Sequence, residues 1–496
     1  MVALDVQANV FLHVAVVATV LALADALVHA QDTQDNMKSR LLIEQISNLF
    51  LERGNMKASI FNVVTSINDT GKEMIIYNTH TTACVTLKKS MYEQIFVEKN
   101  FLDKEIVTAL LKMGILVDDK FDEVKAIVKI RTQGMNDPVQ SVVIFTTTEC
   151  NARCYYCFEK GIKQFPMTFE VADEVLKFIK NNYTNEKPLG INWFGGEPLM
   201  NFKIIKYISD DLIKSGYKIV SHMPTNGSLF NEEMVEYFKT SYEHFSVQIT
   251  LDAVDKEYGK IKRYIDINED LAFDRVIKNV KMLLSNRITL DIRINFAASN
   301  IKKAKSIYSS ILEILKGYDL SNAYIYMAPL TLDCDSEIIS NYCGEGEHPY
   351  LQVTKMQLEE GFPLKIRRYH GKDELIAACG LMPTAYSCGM TCINRIVISA
   401  DGELYKCHRE AGKKQFSCGN VHNGINKNSE TYKRFRTFEI TDEDCKKCNI
   451  LPICQGGCNY LRDIYGEKQK CHRIKQIKEE LVKLYYAKTK NKGKEN

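Results

Sequence analysis

The sequence predicts an α/β protein built around a partial (β/α)6 barrel, on three observations. Between about residues 140 and 330, six apolar, β-rich runs alternate with helical patterns, as in a parallel sheet whose strands are joined by crossover helices. The first run, SVVIFTT, leads directly into Cys150, Cys154 and Cys157. Most of the other cysteines, from a total of 16, crowd into 388–471 and mark a small cysteine-dense region after the barrel.

With 496 residues, 45% hydrophobic and 26% charged, the chain can bury a large core and form two or three domains. A net charge of +3 is nearly neutral at this size, and the basic residues cluster only in the terminal KTKNKGKEN, so no nucleic-acid partner is expected. Residues 1–55 read as an extension. Within them VFLHVAVVATVLALADALVHA is apolar enough to raise a targeting segment, with Val28-His29-Ala30 as a possible cleavage site. No Lys or Arg precedes it, and His13 and Asp25 interrupt it. Met56 opens MKASIFNVV, which reads naturally as a protein start, so no membrane partner is expected.

Residues 56–136 form a compact α+β segment similar to a winged helix: strands SIFNVVTS, EMIIYNT and ACVTL, then amphipathic stretches MYEQIFVEKN and KEIVTALLKMG with Gly114 as a C-cap. The barrel occupies 137–335. Its strands are SVVIFTT, GINWFGG, KIVSHMPTNG, HFSVQITLD, TLDIRINFA and AYIYMAPL, separated by helices such as FEVADEVLKFIKNN and FDRVIKNVKMLL. A bridge at 336–380, a cysteine-rich domain at 381–475 and a helix end with basic tail at 476–496 complete the chain.

Three thiolates spaced C-x3-C-x2-C on one loop can hold three irons of a [4Fe-4S] cube and leave the fourth open. Spacing alone leaves a zinc knuckle possible, but the loop follows a buried parallel strand, where α/β barrels place their chemistry. At the second strand's end, Gly195-Gly196-Glu197-Pro198 combines two glycines that permit close backbone approach with a carboxylate able to hold an ammonium. The cysteine loop, the aromatic Tyr156 before its third cysteine and this GGEP resemble the radical SAM superfamily. The resemblance implies that Cys150, Cys154 and Cys157 hold the catalytic cluster, whose open iron chelates S-adenosylmethionine (SAM). It implies too that Glu197 receives the ammonium of SAM, and that Tyr156, Gly195, Gly196, Pro198, Asn226, Thr250 and Arg263 make further contacts. Thr250 stands where the family usually has serine, and Ala253 where it has glycine.

The later cysteines carry a second resemblance. Cys392, Gly402 and Cys407 match the front of a SPASM domain, with IVISADGELY as a hairpin turning at Asp401-Gly402. Cys445, Cys448, Cys454 and Cys458 follow C-x2-C-x5-C-x3-C, and Cys471 comes soon after. By that resemblance auxiliary cluster I takes Cys388, Cys392, Cys407 and Cys458, and auxiliary cluster II takes Cys445, Cys448, Cys454 and Cys471. Four thiolates also suit tetrahedral zinc, and spacing does not separate the metals. Cys84, Cys334, Cys343, Cys379 and Cys418 read as small buried hydrophobes.

The resemblance to radical SAM/SPASM enzymes covers about residues 137–475. It implies three [4Fe-4S] clusters, SAM, an external electron donor of ferredoxin or flavodoxin type, and a peptide substrate. The expected function is maturation of a ribosomally made precursor peptide, through a thioether crosslink. In related peptide maturases a fold like that of 56–136 grips a leader peptide, though a plain cap over the barrel would read the same. The enzymatic alternative is an anaerobic sulfatase-maturating, formylglycine-generating enzyme. That group carries an aspartate base directly after the position of Cys407, where this chain has His408. A second alternative is a non-catalytic iron-sulfur or zinc protein. Clusters and radical chemistry need a reducing compartment, so the cytoplasm is expected.

Overall fold

The computed structural model describes residues 56–67, 71–296, 301–329, 348–359, 372–465, 471 and 473–492. The readings of residues 1–55, Cys334 and Cys343 lie outside the described residues. Two compact units emerge among the described residues: one of residues 56–137, 372–389 and 437–492, the other of residues 138–359 and 390–436. Among the described residues no helix is long and apolar enough to cross a membrane.

In the first unit β1 (Met56–Ala58) pairs antiparallel with β5 (Leu116–Asp118), and β2 (Asn62–Ser66), β3 (Glu73–Asn78) and β4 (Cys84–Lys88) form an antiparallel sheet with β3 in the middle. Strict alternation in NVVTS turns Val63 and Thr65 inward. Helix Lys104–Lys112 begins at Asp103, whose carboxylate accepts from the Ile106 N–H. It ends before Gly114 at φ +69°, the expected C-cap glycine. MYEQIFVEKN forms only a short α turn, Lys89–Tyr92, continued by a π turn, Glu93–Val97.

Helix Glu123–Met135 presents Ala126, Ile127 and Ile130 to a core shared with Phe61, Ile440 and Leu451. Buried Arg131 donates to the carbonyls of Gln455 (2.6 Å) and Thr437 (2.9 Å). The cysteine-rich stretch is short of apolar residues, so it gains burial by sharing this core.

In the second unit all six barrel strands appear where expected: β6 (Ser141–Thr147), β7 (Leu189–Gly195), β8 (Ile219–Thr225), β9 (His244–Thr250), β10 (Thr289–Phe296) and β11 (Ala323–Pro329). Each pairs parallel with the next, in the sheet order β11-β10-β9-β8-β7-β6-β12-β13. The hairpin of β12 (Arg395–Ile398) and β13 (Leu404–Tyr405) turns at Asp401-Gly402, with Gly402 at φ +81°. It joins the barrel sheet, with β12 parallel to β6 from Arg395 opposite Ser141 to Ile398 opposite Ile144. Helices Phe169–Asn182 and Ala272–Ser285 match the expected amphipathic runs. Fully buried Trp193 anchors the core, its indole N–H donating to the Tyr242 hydroxyl at 3.0 Å. Because the strands run parallel, the C-terminal ends of β6, β7, β8 and β9 share one rim, the position at which α/β sheets carry their sites.

Candidate active site

The cysteine loop leaves β6 through Thr147, which bridges to Pro166 while Thr148 N–H bonds the Phe165 carbonyl at 3.0 Å, pinning the loop's two ends together. Between them the Ala152 N–H donates to Cys150 Sγ (3.3 Å) and the Cys157 N–H to the Cys154 carbonyl (3.2 Å). All three thiols are half-buried. Burial, with the Glu197 carboxylate next in weight, pushes the Cys150 thiol up to about 12. Metal coordination reverses that by holding the thiolate outright.

The GGEP turn is shaped around this loop. Gly195 has φ +143°, and a Cβ on it would lie 2.1 Å from the Thr147 carbonyl oxygen. A Cβ on Gly196 would lie 2.3 Å from the Glu149 carbonyl oxygen and 2.9 Å from Cys150 Cβ. The Glu197 N–H donates to the Glu149 carbonyl at 2.8 Å, joining the ends of β6 and β7. Glu197 is fully buried, and both its oxygens have protein partners. Oε1 accepts from the Leu199 N–H (3.1 Å) and the Thr225 hydroxyl (2.7 Å), and Oε2 from the Asn226 N–H (2.8 Å). Burial pushes its carboxyl up to about 7. Pro198 is buried too, and its carbonyl accepts from the Thr146 hydroxyl at 3.0 Å.

Asn226 donates through Nδ2 to Asn151 Oδ1 at 2.8 Å, and Asn151 in turn reaches Ser228 and Asp266. This network links the cysteine loop to the end of β8. Thr250 ends β9, half-buried. Arg263 points out: it is exposed, and its Nε donates back to the Lys260 carbonyl at 3.4 Å. The buried cation at this corner is its neighbour Lys262, which bonds Tyr156 and Asp252. Sequence reasoning missed both Lys262 and Asp252. Their available signal was an acid just past a strand end and a lysine closing the following helix. His408 is half-buried against the Phe158 and Phe194 rings, 5.8 and 5.3 Å away, and burial pushes its imidazole down to about 4.

In the first unit Cys445, Cys448, Cys454 and Cys471 line one small pocket together with Ile450, Leu451 and Lys475. Arg462 donates to Cys445 Sγ at 3.0 Å and Lys475 to Cys471 Sγ at 3.5 Å, so cations accompany the thiols. Cys388 and Cys458 are exposed members of the same unit. Cys392 and Cys407 are buried in the second unit, where Lys406 donates to the Cys392 carbonyl at 2.9 Å. Among the described residues no three of His, Cys, Asp and Glu converge as ligands of a single ion. A cube asks for a different arrangement, each thiolate at a separate iron, and three cysteines on one turn fit a [4Fe-4S] cluster that leaves an iron for SAM.

The comparisons with known proteins agree with this geometry. The model of the Radical SAM superfamily matches residues 144–297. A cysteine-type anaerobic sulfatase-maturating enzyme of Clostridium perfringens is 24% identical over 354 residues, covering 66% of this chain and 90% of that one. The radical SAM cyclopropyl synthase TigE of Paramaledivibacter caminithermalis is 22% identical over 439 residues, covering 80% and 87%. Among solved structures, native anSMEcpe with bound AdoMet and Kp18Cys peptide has a TM-score of 0.53 at 20% identity, covering 71% of this chain and 97% of that one, a likeness of fold. Parallel sheet, three-cysteine loop, GGEP turn and family model together identify residues 144–297 as a radical SAM domain, and the protein as an enzyme.

Proposed function

We propose that this enzyme matures a ribosomally made peptide by forming a thioether crosslink, with one [4Fe-4S] cluster for SAM and two auxiliary clusters. The observation that carries the reading is the cavity lined by four thiols, Cys445, Cys448, Cys454 and Cys471. When bound, SAM and the loop cluster supply a 5′-deoxyadenosyl radical that takes a hydrogen atom from the substrate. Joining a cysteine sulfur to a carbon breaks an S–H and a C–H bond and forms one C–S bond. After one hydrogen atom and one proton have left, one electron still needs an acceptor, the role that suits an auxiliary cluster.

In this reading Cys150, Cys154 and Cys157 hold the SAM cluster. Glu197 keeps the GGEP turn in register through its bonds to Leu199, Thr225 and Asn226 and would supply a carboxylate for the ammonium of SAM, with Tyr156, Asn226 and Thr250 as further contacts. Cys445, Cys448, Cys454 and Cys471 hold one auxiliary cluster, with Arg462 and Lys475 offsetting its negative charge. Cys388, Cys392, Cys407 and Cys458 hold the other, an assignment resting on the sequence pattern alone. A ferredoxin- or flavodoxin-type donor in the cytoplasm supplies the electron for SAM cleavage.

The segment 56–136 is the leader-binding element in this proposal. Of the two strands whose edges were candidates, β3 is paired on both sides, and β4 (Cys84–Lys88) lies at the end of its sheet. An extended peptide can add there through backbone hydrogen bonds.

Anaerobically reconstituted protein is expected to hold about twelve irons. Cys448→Ser should remove about four and keep SAM cleavage while abolishing the crosslinked product. Stoichiometric zinc in place of iron at these cysteines would overturn the reading. The similarity to a cysteine-type sulfatase-maturating enzyme supports a second reading, oxidation of a substrate cysteine to formylglycine. Incubation with a sulfatase-derived peptide, read by mass for an aldehyde rather than a thioether, separates the two.

A further inference from the structure

Lys262 and Asp252 form a buried ion pair against the cysteine loop, 3% and 6% exposed, with Lys262 Nζ 3.2 Å from Asp252 Oδ2. Lys262 closes helix Asp255–Lys262. Arg263 takes the left-handed conformation (φ +52°) there, which ends the helix and separates the inward lysine from the outward arginine. The Lys262 ammonium donates to the Tyr156 hydroxyl at 2.6 Å and stands 5.4 and 5.5 Å from the ring centres of Tyr156 and Tyr258. The Tyr156 hydroxyl also donates to Asp252, whose other oxygen accepts from the Asn295 N–H at 3.0 Å. Main chain completes the attachment. The Arg153 N–H donates to the carbonyls of Lys262 (2.8 Å) and Arg263 (3.1 Å), and the Cys154 thiol lies 3.8 Å from the Lys262 carbonyl.

A buried ion pair is weak evidence for stability, because desolvating two charges offsets most of their attraction. Two opposed charges fixed in a dry region beside the loop have another consequence, since each acts on neighbouring charge far more strongly there than in water. We propose that Lys262 and Asp252 are positioning residues that hold Tyr156 and the cysteine loop and, through their opposed charges, set the potential at which the loop cluster is reduced. This rests on reading Cys150, Cys154 and Cys157 as the ligands of that cluster. Reduction adds one negative charge, which Lys262 favours and Asp252 opposes.

The test is a potentiometric titration of the holoenzyme followed by electron paramagnetic resonance, reading the signal that SAM perturbs and that Cys154→Ala abolishes. No such signal in the parent protein would fail the ligand reading itself, separately from this proposal. Lys262→Met should make one-electron reduction at least tenfold less favourable, a fall of about 59 mV or more. Asp252→Asn should shift the potential upward, and the double variant should return towards the parent. Lys262→Arg keeps the charge and should keep the potential. Should Lys262→Met fail to fold, Asp252→Asn and Lys262→Arg still decide. Single variants that shift the same way, or an Asp252→Asn protein that holds its cluster at an unmoved potential, would overturn the proposal, since a purely structural role has no sign.

Discussion

Replacing Gly196 by alanine tests how tightly the GGEP turn is built against the cysteine loop. The new Cβ would meet the Glu149 carbonyl oxygen at 2.3 Å, its carbon at 2.6 Å and Cys150 Cβ at 2.9 Å. Ordinary carbon–oxygen contact begins near about 3.3 Å, so the two chains must part by roughly 1 Å. Both contacts to Glu149 are backbone and cannot swing away as a side chain would. The strand ends are also tied together, Glu197 N–H to the Glu149 carbonyl at 2.8 Å and Gly196 N–H to the Thr147 carbonyl at 3.2 Å. Overpacking of this kind costs about 1–3 kcal/mol, and rigid partners put this case at about 3. At about 2–4 °C per kcal/mol for a large domain, calorimetry should show Tm falling by roughly 6–12 °C. The iron held by Cys150, Cys154 and Cys157 should fall with it. Gly317→Ala is the control: its φ is +91° with nothing within 4 Å of a Cβ, so it incurs only the backbone cost of about 1–2 kcal/mol. If Gly196→Ala melts no lower than Gly317→Ala and keeps its full iron, the steric argument is wrong.

Changing Cys150, Cys154 and Cys157 together to alanine should remove about four irons and all SAM cleavage, read by iron analysis and 5′-deoxyadenosine yield. In the first unit Glu123 is buried, held by the Ser59 hydroxyl (2.5 Å) and the Ile60 N–H (3.1 Å), and burial still raises its carboxyl above the ordinary range. Its contribution is therefore fully present below the unfolded value of about 4.3 and is lost as pH rises through the folded value. Glu123→Gln should remove that part of the pH dependence, seen as a flatter trend of urea midpoint between pH 4 and 8. On β4, Thr86→Pro removes a backbone donor from the strand at the sheet's end. Calorimetry should find precursor affinity about tenfold weaker, one or two hydrogen bonds' worth, with peptide-independent SAM cleavage kept. Unchanged affinity would make this sheet a structural cap.

Much of the architecture was legible in the residues because it is written in local patterns. Runs such as SVVIFTT and TLDIRINF are β-branched and apolar over strand length, and the helices between them are amphipathic, so strand existence and parallel order followed directly. The three-cysteine loop and GGEP are short-range spacings, and their placement at strand ends follows from the alternation. Tertiary structure alone decided what depends on distant segments. It paired β12 with β6, more than 240 positions earlier in the chain, through main-chain hydrogen bonds that carry no sequence signature. Long-range packing gave the Glu123–Met135 helix a core in common with Ile440 and Leu451. At the corner of the candidate site the choice between Lys262 and Arg263 fell to one residue's backbone. A left-handed turn at Arg263 sends one side chain to Tyr156 and Asp252 and its neighbour to solvent, and no periodicity in the sequence specifies which.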